Sequence, residues 1–247
     1  MNKKLTEILA RLALTDPQKT TENILKVYEL KGSCIVHFLY FASIILTGLD
    51  NDKNTPKKED YKKALLNGDF LLPDGIALKL LYKKHFRKEL PNLNGTDFLP
   101  YFLSHIGKNI PVEIILYGGK EEVAQKSAIY VKENFWHSLL SIQNGFDDFD
   151  WNRINKKEDS TIRILLVWRG SPLQEIWTEK NRQKIKEMEC LTFTVGGLLD
   201  FWAGIEKRAP KLVRYMKIEW LYRALSNPKK NLKKTLVSLQ LLKFLIR

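Results

Sequence analysis

Along this chain, compact apolar runs end in glycine or proline, and stretches follow in which apolar side chains return every three or four residues. Residues 34–40, CIVHFLY, are the first such run and read as a buried strand. Ahead of it, a helix opens at the Thr15-Asp16-Pro17 turn signal and carries Ile24, Leu25, Val27, Tyr28 and Leu30. Residues 50–60, rich in Lys, Asn and Asp and holding Pro56, predict a loop leading into a short helix over 61–66. Asp69-Phe70-Leu71-Leu72-Pro73-Asp74-Gly75 is a short strand closed by Pro and Gly, with a helix over 76–85 behind it. The unit returns at 112–117, followed by Gly118-Gly119 and a helix over 121–135, and again at 162–168, followed by Gly170-Ser171-Pro172 and a helix over 173–186. A last strand over 191–195 ends in Gly196-Gly197.

Strand, glycine and helix in series predict an α/β fold: a Rossmann-like, mainly parallel sheet with helices on both faces. In such a sheet ligands bind at the carboxyl ends of the strands, which is where Asp74 falls. Each strand-ending glycine is either a tight turn or a place where helix-start N–H groups hold a diphosphate. Gly118-Gly119 lacks the GxGxxG spacing of dinucleotide sites. The core is expected over residues 1–204, with a C-terminal helical appendage over 205–247. After Pro228, the residues Leu232, Leu236, Leu239, Leu242 and Ile246 recur at helical spacing, with Lys229, Lys230, Lys233 and Lys234 at the start. That is the pattern of an interfacial amphipathic helix, or of a helix whose leucines pack on the domain while its lysines face water.

The chain has 247 residues, 44% of them hydrophobic, enough for one large domain. Its formal charge of +13 changes the picture more, because of where it sits. Residues 205–247 hold 12 Lys or Arg against 2 acidic residues, leaving 29 basic and 26 acidic residues for the rest. A basic tail on a nearly neutral body calls for an anionic partner: a phosphate-bearing ligand, an acidic membrane or nucleic acid. Trp220, Tyr215 and Tyr222 among the basic residues would suit nucleic acid, but no RNA- or DNA-binding signature accompanies them, and no nucleic-acid partner is expected. Cys34 and Cys190 each lie inside an apolar run, which points to buried thiols in a reducing compartment rather than to a disulfide or metal site. The N-terminal segment is a poor signal peptide, broken by Thr6, Glu7 and Arg11. The longest apolar stretches, 34–49 and 236–246, carry polar interruptions or fall short of the ~18 residues a spanning helix needs. The expectation is a cytosolic protein that lies on a membrane.

Several blocks occur in a specific order: Leu72-Pro73-Asp74-Gly75-Ile76, Asn94-Gly95-Thr96-Asp97, Tyr117-Gly118-Gly119-Lys120, Gly170-Ser171-Pro172-Leu173-Gln174-Glu175-x-Trp177 and Val195-Gly196-Gly197-x-x-Asp200-Phe201-x-x-Gly204. Lys207-Arg208-Ala209-Pro210 and Glu219-Trp220-Leu221-Tyr222-Arg223 complete the series. Together, from about Arg11 to about Lys234, they resemble the WecG/TagA/CpsF glycosyltransferases. The resemblance implies an inverting transfer of N-acetylmannosamine or a related sugar from a UDP-sugar to a polyprenyl-diphosphate-linked sugar, in cell-wall or surface-polysaccharide synthesis. It implies no metal and no cofactor, and work at the inner face of the cell membrane on an anionic lipid surface; a homo-oligomer is compatible with it.

The same resemblance places the catalytic base at Asp74, where one carboxylate takes the proton of the attacking hydroxyl; the plain alternative is a helix cap. Gln174 and Asp200 match donor-pocket positions, where an amide and a carboxylate hydrogen-bond uracil or sugar hydroxyls. Their plain alternatives are capping and a solvated turn. Arg223 matches a tail arginine that closes over the leaving diphosphate. Gly118, Gly119 and His37 join the donor contacts, and Asn92, Arg208, Lys229, Lys230, Lys233 and Lys234 the acceptor or membrane contacts. Two departures stand out. Where the family shows Thr-x-Asn at the end of its first core strand, this chain has His37-Phe38-Leu39, and an Arg usual three residues before Gly-Thr-Asp is Asn92. They leave open altered specificity, or a silent scaffold that keeps the fold.

Overall fold

The computed structural model describes residues 2–51, 53, 55–106, 110–135, 138–158, 160–216 and 218–246. Among the described residues six strands form one sheet: β1 (Cys34–Tyr40), β2 (Phe70–Asp74), β3 (Val112–Gly118), β4 (Ser138–Gln143), β5 (Ile162–Trp168) and β6 (Cys190–Thr194). Their order is β2-β1-β6-β5-β3-β4, and every pairing is parallel. Parallel neighbours need crossover helices, and these cover both faces. The expected α/β fold, with its mainly parallel sheet, is what the chain adopts.

The two-residue period of the strands sorts the core. Val36, Phe38, Ile114, Leu116, Ile164 and Leu166 turn to the face covered by α2 (Pro17–Lys31), α6 (Gly95–His105), α7 (Glu121–Phe135) and α10 (Leu198–Trp202). Ile35, Leu39, Ile115, Tyr117, Leu165 and Val167 turn to the other face. There lie α1 (Lys3–Leu9), α4 (Pro56–Asn67), α5 (Ile76–Phe86), α8 (Leu173–Lys180) and α9 (Arg182–Glu187), with α3 (Phe41–Thr47) directly after β1.

Several elements depart from the pattern-based reading. The loop expected over 50–60 ends early, because Thr55 accepts the Lys58 N–H at 3.3 Å and Pro56 sits in the first turn, so α4 starts at Pro56. The helix expected over 173–186 breaks at Asn181, giving α8 and α9. β4 carries Ser138, Ser141 and Gln143 on an edge strand with a register shift at Ile114/Ile115, so no apolar run announces it. α6 also lies outside the reading, although Asn94 caps it by accepting the Asp97 N–H at 3.0 Å.

The tail continues as α11 (Lys211–Tyr215), α12 (Glu219–Ser226), α13 (Pro228–Ser238) and α14 (Leu241–Ile246). The single amphipathic helix expected after Pro228 is thus two helices. The break at Leu239-Gln240 lets Leu241 turn into the core among Phe41, Leu78 and Leu81, a burial that contributes roughly 1.5–3 kcal/mol. α13 packs on α3 and α14 on α5, where Lys84 Nζ donates to the Leu245 carbonyl at 2.7 Å. Among the described residues no helix is long and apolar enough to cross a membrane.

Candidate active site

The carboxyl ends of β1, β2, β5 and β6 open into a cavity of about 520 Å³, roofed by α12, α13 and α14. That volume lies inside the ~300–1,000 Å³ range of small-ligand sites.

Asp74 is the last residue of β2, paired in register with Tyr40 of β1. Gly75 follows at φ +85°, a left-handed conformation that lets the chain turn straight into α5. Gly75 holds the cap position of α5 and no side chain caps the helix, so Asp74 is not spent as a cap. Its carboxyl lines the cavity. Burial pushes its pKa up to about 6, raised further by Glu219 and Asp97 and opposed by Arg223 and Arg208. Around neutral pH it is ionised, yet a far better proton acceptor than an ordinary Asp.

Arg223, on α12, reaches the same cavity. Its Nη2 donates to Glu206 Oε2 at 2.9 Å, and its guanidinium lies 5.0 Å from the Phe201 ring centroid. Arg208 stacks on the same ring at 5.8 Å. Arg208 does not line the cavity: it donates to the Thr96 carbonyl at 2.9 Å and to Asp97 Oδ1 at 2.8 Å, and its Nε lies 3.3 Å from Glu219 Oε1. It ties the start of α6 to α12. Burial disfavours the charged form of Asp97, but hydrogen bonds from Asn94 and Arg208 outweigh it and hold that carboxyl below its usual range.

Gln174 and Asp200 both line the cavity and are almost wholly buried. Gln174 is not a cap, since Pro172 holds the cap position of α8, and a 6% exposed Asp200 is not a solvated turn. The Asp200 carbonyl accepts the N–H groups of Ile205 and Glu206, which sets Glu206 facing Arg223. Glu175, next to Gln174, is fully buried, and burial pushes its pKa up to about 7 against hydrogen bonds from Gln174, its own backbone and Ser171.

Other expected contacts lie elsewhere. His37 points to the opposite face of β1 from Phe38 and Tyr40. Its ring is buried, with Nδ1 3.1 Å from Thr194 Oγ1, and it packs so closely that a Cβ on Gly68 would sit 2.6 Å from its Cδ2. Burial pushes its pKa down to about 3. It does not line the cavity; Phe38 and Tyr40 do. The β1 residues that line the cavity are thus Phe38 and Tyr40, not His37 and Leu39. Gly118 and Gly119 stand behind the cavity wall rather than in it. Added Cβ atoms would meet the Trp168 carbonyl oxygen at 1.9 Å and the Trp168 ring at 2.1 Å, so these glycines let Trp168 form the wall. Asn92 donates to Asp97 Oδ2 at 3.1 Å, outside the cavity. Lys229 and Lys233 are exposed on α13, and the side chains of Lys230 and Lys234 lie outside the described residues.

Sequence reading missed Tyr40, Trp168, Phe201 and Glu206. Counting two by two along β1 from Phe38 would have found Tyr40. Nothing local marks Glu206, whose role depends on α12 folding back.

A parallel sheet whose carboxyl edge opens into a cavity lined by an aspartate and an arginine places a ligand site where α/β enzymes carry theirs. The chain belongs to the glycosyl transferase WecG/TagA/CpsF family, whose family model matches residues 10–247, and it is a glycosyltransferase.

Proposed function

We propose that the chain is an inverting, metal-independent transferase. It moves N-acetylmannosamine or a related sugar from a UDP-sugar to a polyprenyl-diphosphate-linked sugar, in cell-wall or surface-polysaccharide synthesis at the inner face of the membrane. The observation that carries this reading is the convergence of Asp74, its pKa raised to about 6, and Arg223 in one cavity. Asp74 takes the proton of the acceptor hydroxyl as its oxygen attacks the anomeric carbon from the face opposite the diphosphate. The bond from that carbon to the diphosphate oxygen breaks, and its electron pair leaves with UDP. Arg223 and the backbone N–H group at Gly170, both in the cavity wall, meet the charge that develops. Gln174 and Asp200 hold the donor.

Residues 205–247 act in this reading as an appendage that is both membrane contact and active-site wall. Trp220, Leu239 and Leu242 line the cavity and are also substantially exposed, giving it the apolar rim a lipid-linked acceptor needs. Leu232, Leu236 and Ile246 continue that exposed apolar surface beside Lys229 and Lys233. The test is UDP release with a panel of UDP-sugars and a soluble polyprenyl-diphosphate sugar analogue. Turnover is expected with at least one UDP-N-acetylhexosamine; no turnover with any donor contradicts the enzyme reading.

A further inference from the structure

Gln174 and Glu175 are consecutive residues of α8, and neighbours in sequence do not ordinarily face each other on a helix. Here they do, beneath the cavity floor, 2% and 0% exposed. An amide side chain carries an acceptor at one end and donors at the other, so what it offers a ligand depends on which way it is turned. The backbone N–H of Gly196 is a donor only and lies 3.2 Å from Gln174 Oε1. The amide must therefore turn its oxygen toward Gly196. Its nitrogen then faces Glu175, whose Oε1 accepts from Nε2 at 2.9 Å. The reverse orientation would set two donors against each other at Gly196.

We infer that Glu175 is a positioning residue for donor recognition: by accepting one Nε2–H it locks the Gln174 amide, so that the second Nε2–H is offered to a carbonyl or hydroxyl oxygen of the bound sugar nucleotide. The inference rests on the reading of Gln174 as a donor contact. It holds in either protonation state of Glu175, because an acid protonated on its other oxygen still accepts at Oε1. It also gives a reason for a full-length carboxyl side chain at a wholly buried position, where a hydrophobic residue would pack at no desolvation cost.

Binding of UDP and of UDP-N-acetylmannosamine, measured by calorimetry on the full chain, tests this in wild type, Glu175→Met, Glu175→Gln, Gln174→Leu and the Gln174→Leu/Glu175→Met pair. Glu175→Met removes the acceptor at similar volume and should weaken binding of the sugar nucleotide about tenfold. Glu175→Gln keeps an acceptor oxygen and should stay within about twofold of wild type. With Gln174 already replaced by Leu, adding Glu175→Met should cost nothing more, which a general structural role would not produce. In the ligand-free protein, Gly196 amide exchange should be about tenfold faster in Glu175→Met. Unchanged binding in Glu175→Met, a full tenfold loss in Glu175→Gln, or the same loss whether or not Gln174 is present would each overturn the inference. If wild type binds neither nucleotide, the donor reading itself fails. Gly196 exchange, which needs no ligand, then decides the positioning claim, and an unchanged rate sinks it.

Discussion

Asp74 is held in an environment that its own ionisation disfavours. Its pKa of about 6 lies above the ordinary 3.8, so the folded state keeps a proton that the unfolded chain releases between those values. The folded state therefore loses relative stability as pH rises through that window, and the penalty is complete above about 6. Asp74→Asn should accordingly raise Tm at about pH 8, with the difference from wild type vanishing below about pH 4. A thermal melt at each pH checks both signs; equal melting points at pH 8 would mean the carboxylate is stabilised by partners instead. Residue identity made Asp74, Gln174, Asp200 and Arg223 legible through the motifs that hold them. It did not separate Gly118 and Gly119 from the cavity, because their closeness to Trp168 is a tertiary fact. Nor did it place His37, since one step along a strand turns a side chain to the opposite face.

At the scale of elements, apolar runs on doubly covered strands were easy to find: β1 and β5 match the expected residues, and α7 likewise. Partner-dependent elements were not. β4 is made by pairing along β3 rather than by its own composition, and α14 is separated from α13 by the need to bury Leu241. The close approach of β3 and β5 at their carboxyl ends gives the most severe steric constraint. An alanine at Gly119 would put Cβ 2.1 Å from the Trp168 ring at a φ of +55°. Gly119→Ala should cost about 2–3 kcal/mol in urea unfolding and displace Trp168 from the cavity wall, quenching or shifting its fluorescence response to UDP. A neutral substitution would show that the loop has slack absent from the structure.

For the whole molecule, the charge asymmetry visible in the sequence finds its place in the fold: the basic tail folds back over α3 and α5 and closes the cavity, so in the proposed function lipid contact and catalysis would share one surface. The sequence offered an amphipathic anchor or a helix whose leucines pack on the domain; in the structure Leu241, Phe244 and Leu245 pack on the core, while Leu232, Leu236, Leu239, Leu242 and Ile246 stay exposed. The chain should float with vesicles containing phosphatidylserine and not with neutral ones. Each engaged Lys or Arg contributes about 1 kcal/mol near an anionic surface, and the attraction is screened at about 1 M salt. Lys229→Glu/Lys233→Glu should abolish flotation, whereas binding that ignores both salt and these charges would point to another surface.

The central claim is that Asp74 takes the proton of the attacking hydroxyl, and the pH dependence of kcat/KM for sugar transfer, measured between about pH 4.5 and pH 8.5, tests it most directly. Because the base works only when ionised, wild-type activity should rise with pH through an apparent pKa of about 6 and then level off. Asp74→Asn should bind UDP as wild type does, yet lose about 10²–10⁴-fold in transfer rate across the whole range. An Asp74→Asn protein that keeps both its rate and the same rise near pH 6 would contradict the account.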